Sequence, residues 1–212
     1  MTLHVGTSGW SYPSWRQGFY PEGTRPESFL AFYAERFDTV ELNTTGYRLP
    51  GEEQFAKWAE QVSDGFTFAP KLPYARVGPG RLAAFLETVS LLGGRLGPVR
   101  IEIIQQRDEG MLALLLGSVD PGVRIALDFK HESWAGVEER LAGDGAVRVN
   151  DLETPAPFRY LRLREPPYDD DALRALAEKL RNVAEPTYVY FRHEDEPTAP
   201  AYAERLLSLS ST

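Results

Sequence analysis

Eight short β-type runs recur along the chain, and stretches of helical periodicity separate most of them. The runs are Leu3–Gly6, Thr39–Leu42, Phe66–Lys71, Val99–Ile104, Arg124–Asp128, Ala146–Asn150, Phe158–Leu163 and Thr187–Arg192. The periodicity predicts helices over Glu27–Phe37, Glu52–Val62, Gly80–Leu92, Met111–Leu116, Val137–Leu141, Asp169–Val183 and Ala199–Leu209. Strands alternating with helical crossovers read as a parallel sheet. Eight strands close such a sheet on itself and remove both edges. The expected fold is therefore a TIM-like (β/α)8 α/β barrel, one domain over residues 1–212. One joint departs from the pattern. Asp151–Pro157 is too short for a helix and carries two prolines, so the barrel is expected to be irregular or shortened, with a missing helix between strands 6 and 7. An open doubly wound sheet is the alternative, but Gly6, Gly9 and Gly18 lack the GxGxxG spacing that its first turn needs.

Composition excludes several kinds of chemistry. The chain has 212 residues and no cysteine, which removes disulfides, thiolate metal sites and a cysteine nucleophile together. A formal charge of −8 opposes a broad nucleic-acid surface, because phosphate neutralisation needs clustered Lys and Arg. No apolar run approaches a membrane span and the N-terminus lacks a signal-peptide pattern, so the cytoplasm is the expected location. Three histidines are too few for a histidine-rich trinuclear zinc site. Ser8, flanked by glycine, lacks the nucleophile-elbow spacing. No cofactor, metal set or oligomeric state is specified.

Strand alternation places the polar residues. Val40 and Leu42 suit the helix-facing side, so Glu41 and Asn43 point inward at the carboxyl end of the second strand. The same logic brings Lys71, Glu102, Asp128 with Lys130, Asn150 with Asp151, Arg162 with Arg164, and Arg192 or His193 to one mixed-sign mouth. Burying so many charges is costly unless they pair or bind something. The first strand runs into Thr7-Ser8-Gly9-Trp10, and Trp10, Tyr12 and Trp15 crowd the loop beyond. Those rings are a stacking platform for a sugar or base, or an aromatic plug.

The segments Gly6-Thr-Ser-Gly-Trp-Ser-Tyr-Pro-Ser-Trp15, Phe19-Tyr-Pro21, Phe37-Asp-Thr-Val-Glu-Leu-Asn43, Tyr47-Arg-Leu-Pro50, Phe68-Ala-Pro-Lys71 and Phe129-Lys-His-Glu-Ser-Trp134 resemble the YecE-like family, domain of unknown function family 72. The match is ordered over nearly the whole chain. It implies a TIM-barrel-like fold, related in shape to the endonuclease IV and sugar-isomerase barrels, and no activity. The chain departs from the family at the strand ends. Ile101-Glu-Ile-Ile-Gln-Gln106 replaces a Gln followed by Leu-Pro-Pro, and Asp128 and Lys130 replace Glu and Arg. Leu161-Arg-Leu-Arg-Glu165 loses a histidine, and Arg192-His-Glu-Asp195 replaces an Asn-rich end.

Each candidate has two readings. Glu102, Asp128 and His131 are the acid/base candidates, His131 because its ordinary pKa lies near neutrality. The alternative is carboxylates balanced by Lys71, Lys130 and Arg162, and a loop histidine. Thr7, Ser8, Trp10, Glu41, Asn43, Lys71, Lys130, Arg162 and Arg192 are the ligand-binding candidates. Arginine's fork suits a phosphate near strands seven and eight, with salt bridges as the competing reading. His193 sits in an acidic turn and His4 near the closed end. The expected function is a barrel enzyme acting on a small polar or anionic substrate, sugar- or phosphate-bearing, at the carboxyl ends of the strands. The alternatives are a noncatalytic ligand- or partner-binding barrel, or a nuclease-like protein opposed by the overall acidity.

Overall fold

The computed structural model describes residues 2–46, 50–73, 79–192 and 197–211. Within them run eight strands: β1 (Leu3–Thr7), β2 (Thr39–Leu42), β3 (Thr67–Pro73), β4 (Val99–Ile103), β5 (Ile125–Phe129), β6 (Val147–Arg148), β7 (Arg159–Leu163) and β8 (Thr187–Phe191). Between them and after β8 lie α1 (Phe29–Ala34), α2 (Glu52–Ala59), α3 (Pro79–Ser90), α4 (Glu109–Gly117), α5 (Glu138–Gly143), α6 (Asp170–Arg181) and α7 (Thr198–Ser210). Every strand pairing is parallel. The fold is thus α/β, with parallel strands and alternating helices. Residues 149–158 carry no helix, where the two prolines interrupt the chain.

Local chemistry explains the helices. α6 begins at Asp169, whose carboxylate accepts from Ala172 N at 2.8 Å. Asp170 and Asp171 then meet its positive end, and Lys179 and Arg181 its negative end. Leu173, Ala177 and Leu180 recur on one face, and that face is buried. α4 starts the same way at Asp108, which accepts from Met111 N at 2.9 Å. Among the described residues no helix is long and apolar enough to cross a membrane.

Strand alternation sorts the core into two layers. Val5, Val40, Phe68, Ile101, Leu127 and Val189 belong to the large cluster shared with the helices. Ala69, Ala126, Val147, Phe158, Tyr160, Tyr188 and Tyr190 form a second cluster on the other face of the strands. His4 stacks on Tyr188 at 4.6 Å and bonds Asp38 at 2.6 Å, a structural position near the start of β1. Trp15 is completely buried against Tyr12, Phe19 and Tyr20, so of the two readings of the aromatic loop this ring takes the plug.

The strands fall into two ladders, β1-β8-β7 and β2-β3-β4-β5-β6, and side chains bridge both seams. At the seam between β1 and β2, the Tyr33 hydroxyl accepts from Thr7 N at 2.8 Å and donates to Thr39 O at 3.0 Å. It stands where a direct backbone bond would otherwise lie. Gly9 N then reaches Glu41 O at 2.9 Å. Gly6 has no alternative here, since a Cβ would lie 2.1 Å from Thr39 O. At the seam between β6 and β7, Asn150 N donates to Tyr160 O at 2.9 Å. Its side-chain amide accepts from Arg162 N at 2.7 Å and donates to Arg162 O at 3.2 Å, imitating a strand neighbour. Asn150 adopts φ 68, a left-handed conformation that asparagine tolerates. That turn ends β6 after two residues, shorter than the alternation of Ala146–Asn150 predicts.

Removing the Tyr33 hydroxyl strands a buried N–H and a buried carbonyl. Tyr33→Phe is therefore expected to lower stability by about 1–3 kcal/mol. Asn150→Ala, at an exposed residue, is expected to cost less, about 1 kcal/mol. Urea denaturation midpoints check both, and a Tyr33→Phe protein as stable as the parent refutes the bridging role.

Candidate functional site

Ser8, Glu41, Lys71, Glu102, Asp128, Arg162 and Arg164 come from the carboxyl halves or ends of β1, β2, β3, β4, β5 and β7, and Arg100 from the amino half of β4. They meet in one network. At its centre is Arg100, fully buried. Its Nη1 donates to Glu41 at 3.1 Å, its Nη2 to Glu102 at 2.9 Å, and its Nε to Asp128 at 3.0 Å. One guanidinium thus ties three carboxylates from three strands.

Glu41 is equally dry. Arg162 Nε donates to it at 2.8 Å, the Ser8 hydroxyl at 2.6 Å and the Tyr160 hydroxyl at 2.7 Å. Burial pushes the Glu41 carboxyl up, but Arg100 and Arg162 outweigh that and hold it well below the usual carboxylate range. Ser8 also accepts from Arg162 Nη2 at 3.2 Å, so its hydroxyl is oriented on both sides. Burial likewise raises Asp128, and Arg100, Lys130 and Arg164 together bring it below its ordinary value. Lys130 Nζ donates to it at 2.8 Å, and Arg164 contacts it as well. Lys71 Nζ lies 3.6 Å from Glu102.

Five cations therefore face three carboxylates: Lys71, Arg100, Lys130, Arg162 and Arg164 against Glu41, Glu102 and Asp128. Solvent reaches only part of this group. The side chains of Lys130, Arg164 and Glu102 are 30%, 27% and 26% exposed. Burial lowers the proton affinity of Lys71 and Lys130, with Arg100 adding to the effect at Lys71. Among the described residues no group of three or more carboxylate or histidine side chains is placed to hold a metal ion; the guanidinium of Arg100 binds all three acids.

Other candidates lie outside the network. Thr7 is buried, but its hydroxyl donates to Gly9 O at 2.7 Å and meets the Tyr33 hydroxyl at 3.0 Å. His131 caps its own turn: its Nδ1 lies 2.9 Å from the Ser133 hydroxyl and accepts from Ser133 N. Among the described residues it bonds none of the three carboxylates. Arg192 is exposed at the end of β8, and His193 lies outside the described residues. Asp151 turns away to cap Glu153 N and Thr154 N. Trp10 and Asn43 line a separate cavity of about 840 Å³ beside the first two strands. The charged residues of the network do not line it, although Tyr12 connects the two regions. Tyr12 lines the cavity, and burial together with Glu41 pushes its phenol up to about 12.

Arg100 and Tyr160 were absent from the sequence-derived candidates. The signal was present in the parity of the strands: Arg100 lies two residues before Glu102, and Tyr160 two before Arg162, on the same inward face.

The model of a family described as "Protein of unknown function DUF72" matches residues 4–212. The protein "UPF0759 protein YecE" of Escherichia coli strain K12 is 32% identical over 109 residues. That stretch covers 48% of this chain and 37% of the E. coli protein's length. The crystal structure of the DUF72 family protein EF0366 from Enterococcus faecalis V583 superposes with a TM-score of 0.78 at 15% identity, covering 100% of this chain and 96% of the other. A second crystal structure of that protein gives 0.73, also at 15% identity, over 99% and 96%.

Two tests address the network. Arg100→Met leaves three carboxylates without their common partner and is expected to destabilise by about 3–5 kcal/mol. The depressed Glu41 contributes stability that is whole above its ordinary value of 4.5 and lost as pH falls toward the folded value. Urea midpoints from pH 7 down should therefore drop in the parent, and the acid limb should flatten in Glu41→Gln. Parallel acid limbs would contradict the assignment.

Proposed function

The chain belongs to the DUF72 family, and we propose that it is a closed, irregular (β/α)8 barrel that binds a small anionic, sugar- or phosphate-bearing ligand where its charged strand ends converge. The side-chain bridges at both seams support closure, because each joins an edge of one ladder to an edge of the other. The surplus of positive charge carries the ligand assignment. Among the described residues five cations gather against three carboxylates, each cation within reach of at least one of them, in a protein whose formal charge is −8. Holding five like charges close together and partly out of water is unfavourable unless anions share the site.

In this reading Arg100, Glu41 and Arg162 form a rigid floor. Lys71, Lys130 and Arg164 face the ligand, and Glu102 orients Lys71. A catalytic role for the same pocket is a second reading, favoured by the weakened hold of Lys71 and Lys130 on their protons, which suits proton transfer. Asp128 is held ionised and suits that task poorly.

Inorganic phosphate and glycerol phosphate are the probes. Isothermal titration calorimetry should show binding that weakens roughly tenfold in Lys130→Ala and in Arg164→Ala. An anion restores the lysines' preference for charge, so binding should take up protons on the alkaline side and weaken as pH rises through their range. Repeating the titration in buffers of different ionisation enthalpy reads this directly. Absence of binding, or binding indifferent to both substitutions, would sink the proposal.

A further inference from the structure

We propose that the 840 Å³ cavity beside β1 and β2 binds a neutral sugar, apart from the anion. Its walls come from the loop after β1, the end of β2 and the helix α2, including Trp10, Tyr12, Asn43, Trp58 and Gln61. The volume lies within the range of small-molecule sites and accommodates one or two sugar rings.

Two features of the lining point to a ligand that donates hydrogen bonds. Asn43 Oδ1 and Gln61 Oε1 are buried, and neither has a hydrogen-bond partner among the described residues. For Gln61 the orientation of the amide is set, because Nε2 donates to Lys57 O at 3.0 Å and the reverse placement would oppose two oxygens. A buried acceptor without a donor is unfavourable. Ligand hydroxyls would satisfy both once the two amides turn toward the cavity.

The aromatic geometry selects the shape of the ligand. Trp10 meets Trp58 edge to face, with centroids 5.2 Å apart and planes at 85°. Trp58 is itself backed by Phe68 at 6.0 Å and 26°. The two indoles make a corner rather than a pair of parallel faces, so a flat base cannot be sandwiched between them. The C–H face of a sugar ring can lie against one wall while its hydroxyls turn to the amides. Charge selects against an anion here. Glu27 and Glu60 line the cavity with Lys57, which lies 3.9 Å from Glu53, so this pocket lacks the cation surplus of the strand ends.

The test uses cellobiose, maltose and methyl β-D-glucoside, with adenosine as the planar comparator. Saturation-transfer NMR detects contact. Tryptophan emission reports the cavity, because Trp15 and Trp134 are fully buried while Trp10 and Trp58 line or face the open space. At least one sugar should bind and shift the emission, and Asn43→Ala or Gln61→Ala should weaken that binding roughly tenfold. Gln61 lies just past the end of α2, so Gln61→Ala keeps the test decisive if Asn43→Ala fails to fold. The proposal is overturned if none of the three sugars binds, if adenosine binds in their place, or if binding ignores both substitutions. Phosphate titrated in parallel separates the two sites: phosphate binding without sugar binding removes the cavity assignment alone, and sugar binding without phosphate binding removes the anion assignment alone.

Discussion

A guanidinium that never meets water organises the interior of this protein. Arg100 is fully buried and binds Glu41, Glu102 and Asp128. Such a group is tolerated only when each donor finds an acceptor, because desolvation of an unpaired charge outweighs most single interactions. The three acids depend on it in turn. Glu41 is as dry as Arg100 and draws Ser8, Tyr160 and Arg162 around itself. Asp128 gathers Lys130 and Arg164. The positions of the outer cations therefore follow from a charge arrangement set at the centre, and a ligand at the strand ends would meet side chains whose directions are already fixed.

The seams show a related economy. Parallel strands normally pair through backbone bonds alone, yet here a tyrosine hydroxyl and an asparagine amide carry part of each junction between the two ladders. Both devices let neighbouring strands part slightly without leaving buried backbone groups unpaired. They also place functional residues. Glu41 follows the Tyr33 bridge by two residues from Thr39, and Arg162 is the residue that Asn150 grips. The seams thus hold two of the strongest partners in the charged network, from β2 and β7, within reach of each other.

The two candidate sites differ in their physics. The strand ends offer charge, with a surplus of cations and limited solvent access. The cavity offers aromatic surface and amide oxygens, with little net charge. Tyr12 stands between them, lining the cavity while its phenol responds to Glu41 and Arg162. Its hydroxyl donates to Ser8 O at 2.6 Å, which binds the loop after β1 to the strand end beside the network.

Much of the architecture was legible in the residues. Among the described residues the eight strands and seven helices fall on the runs that hydrophobic periodicity marks, β6 being shorter than its run, and Asp169 and Asp108 cap their helices. Strand parity also anticipated the inward placement of Glu41, Lys71, Glu102, Asp128 and Arg162. These are local properties, written in spacing and residue type. Partnership is not local. Arg100 reads as one more alternating polar residue until three strands bring carboxylates to it. Trp10 and Trp15 look alike in their loop, yet one lines a cavity and the other fills the core. His131 follows a strand end as a catalytic residue would, but its own turn claims its nitrogen. Periodicity along the chain decides which face a side chain takes; only the packing of distant strands decides which charges meet and which rings are left open.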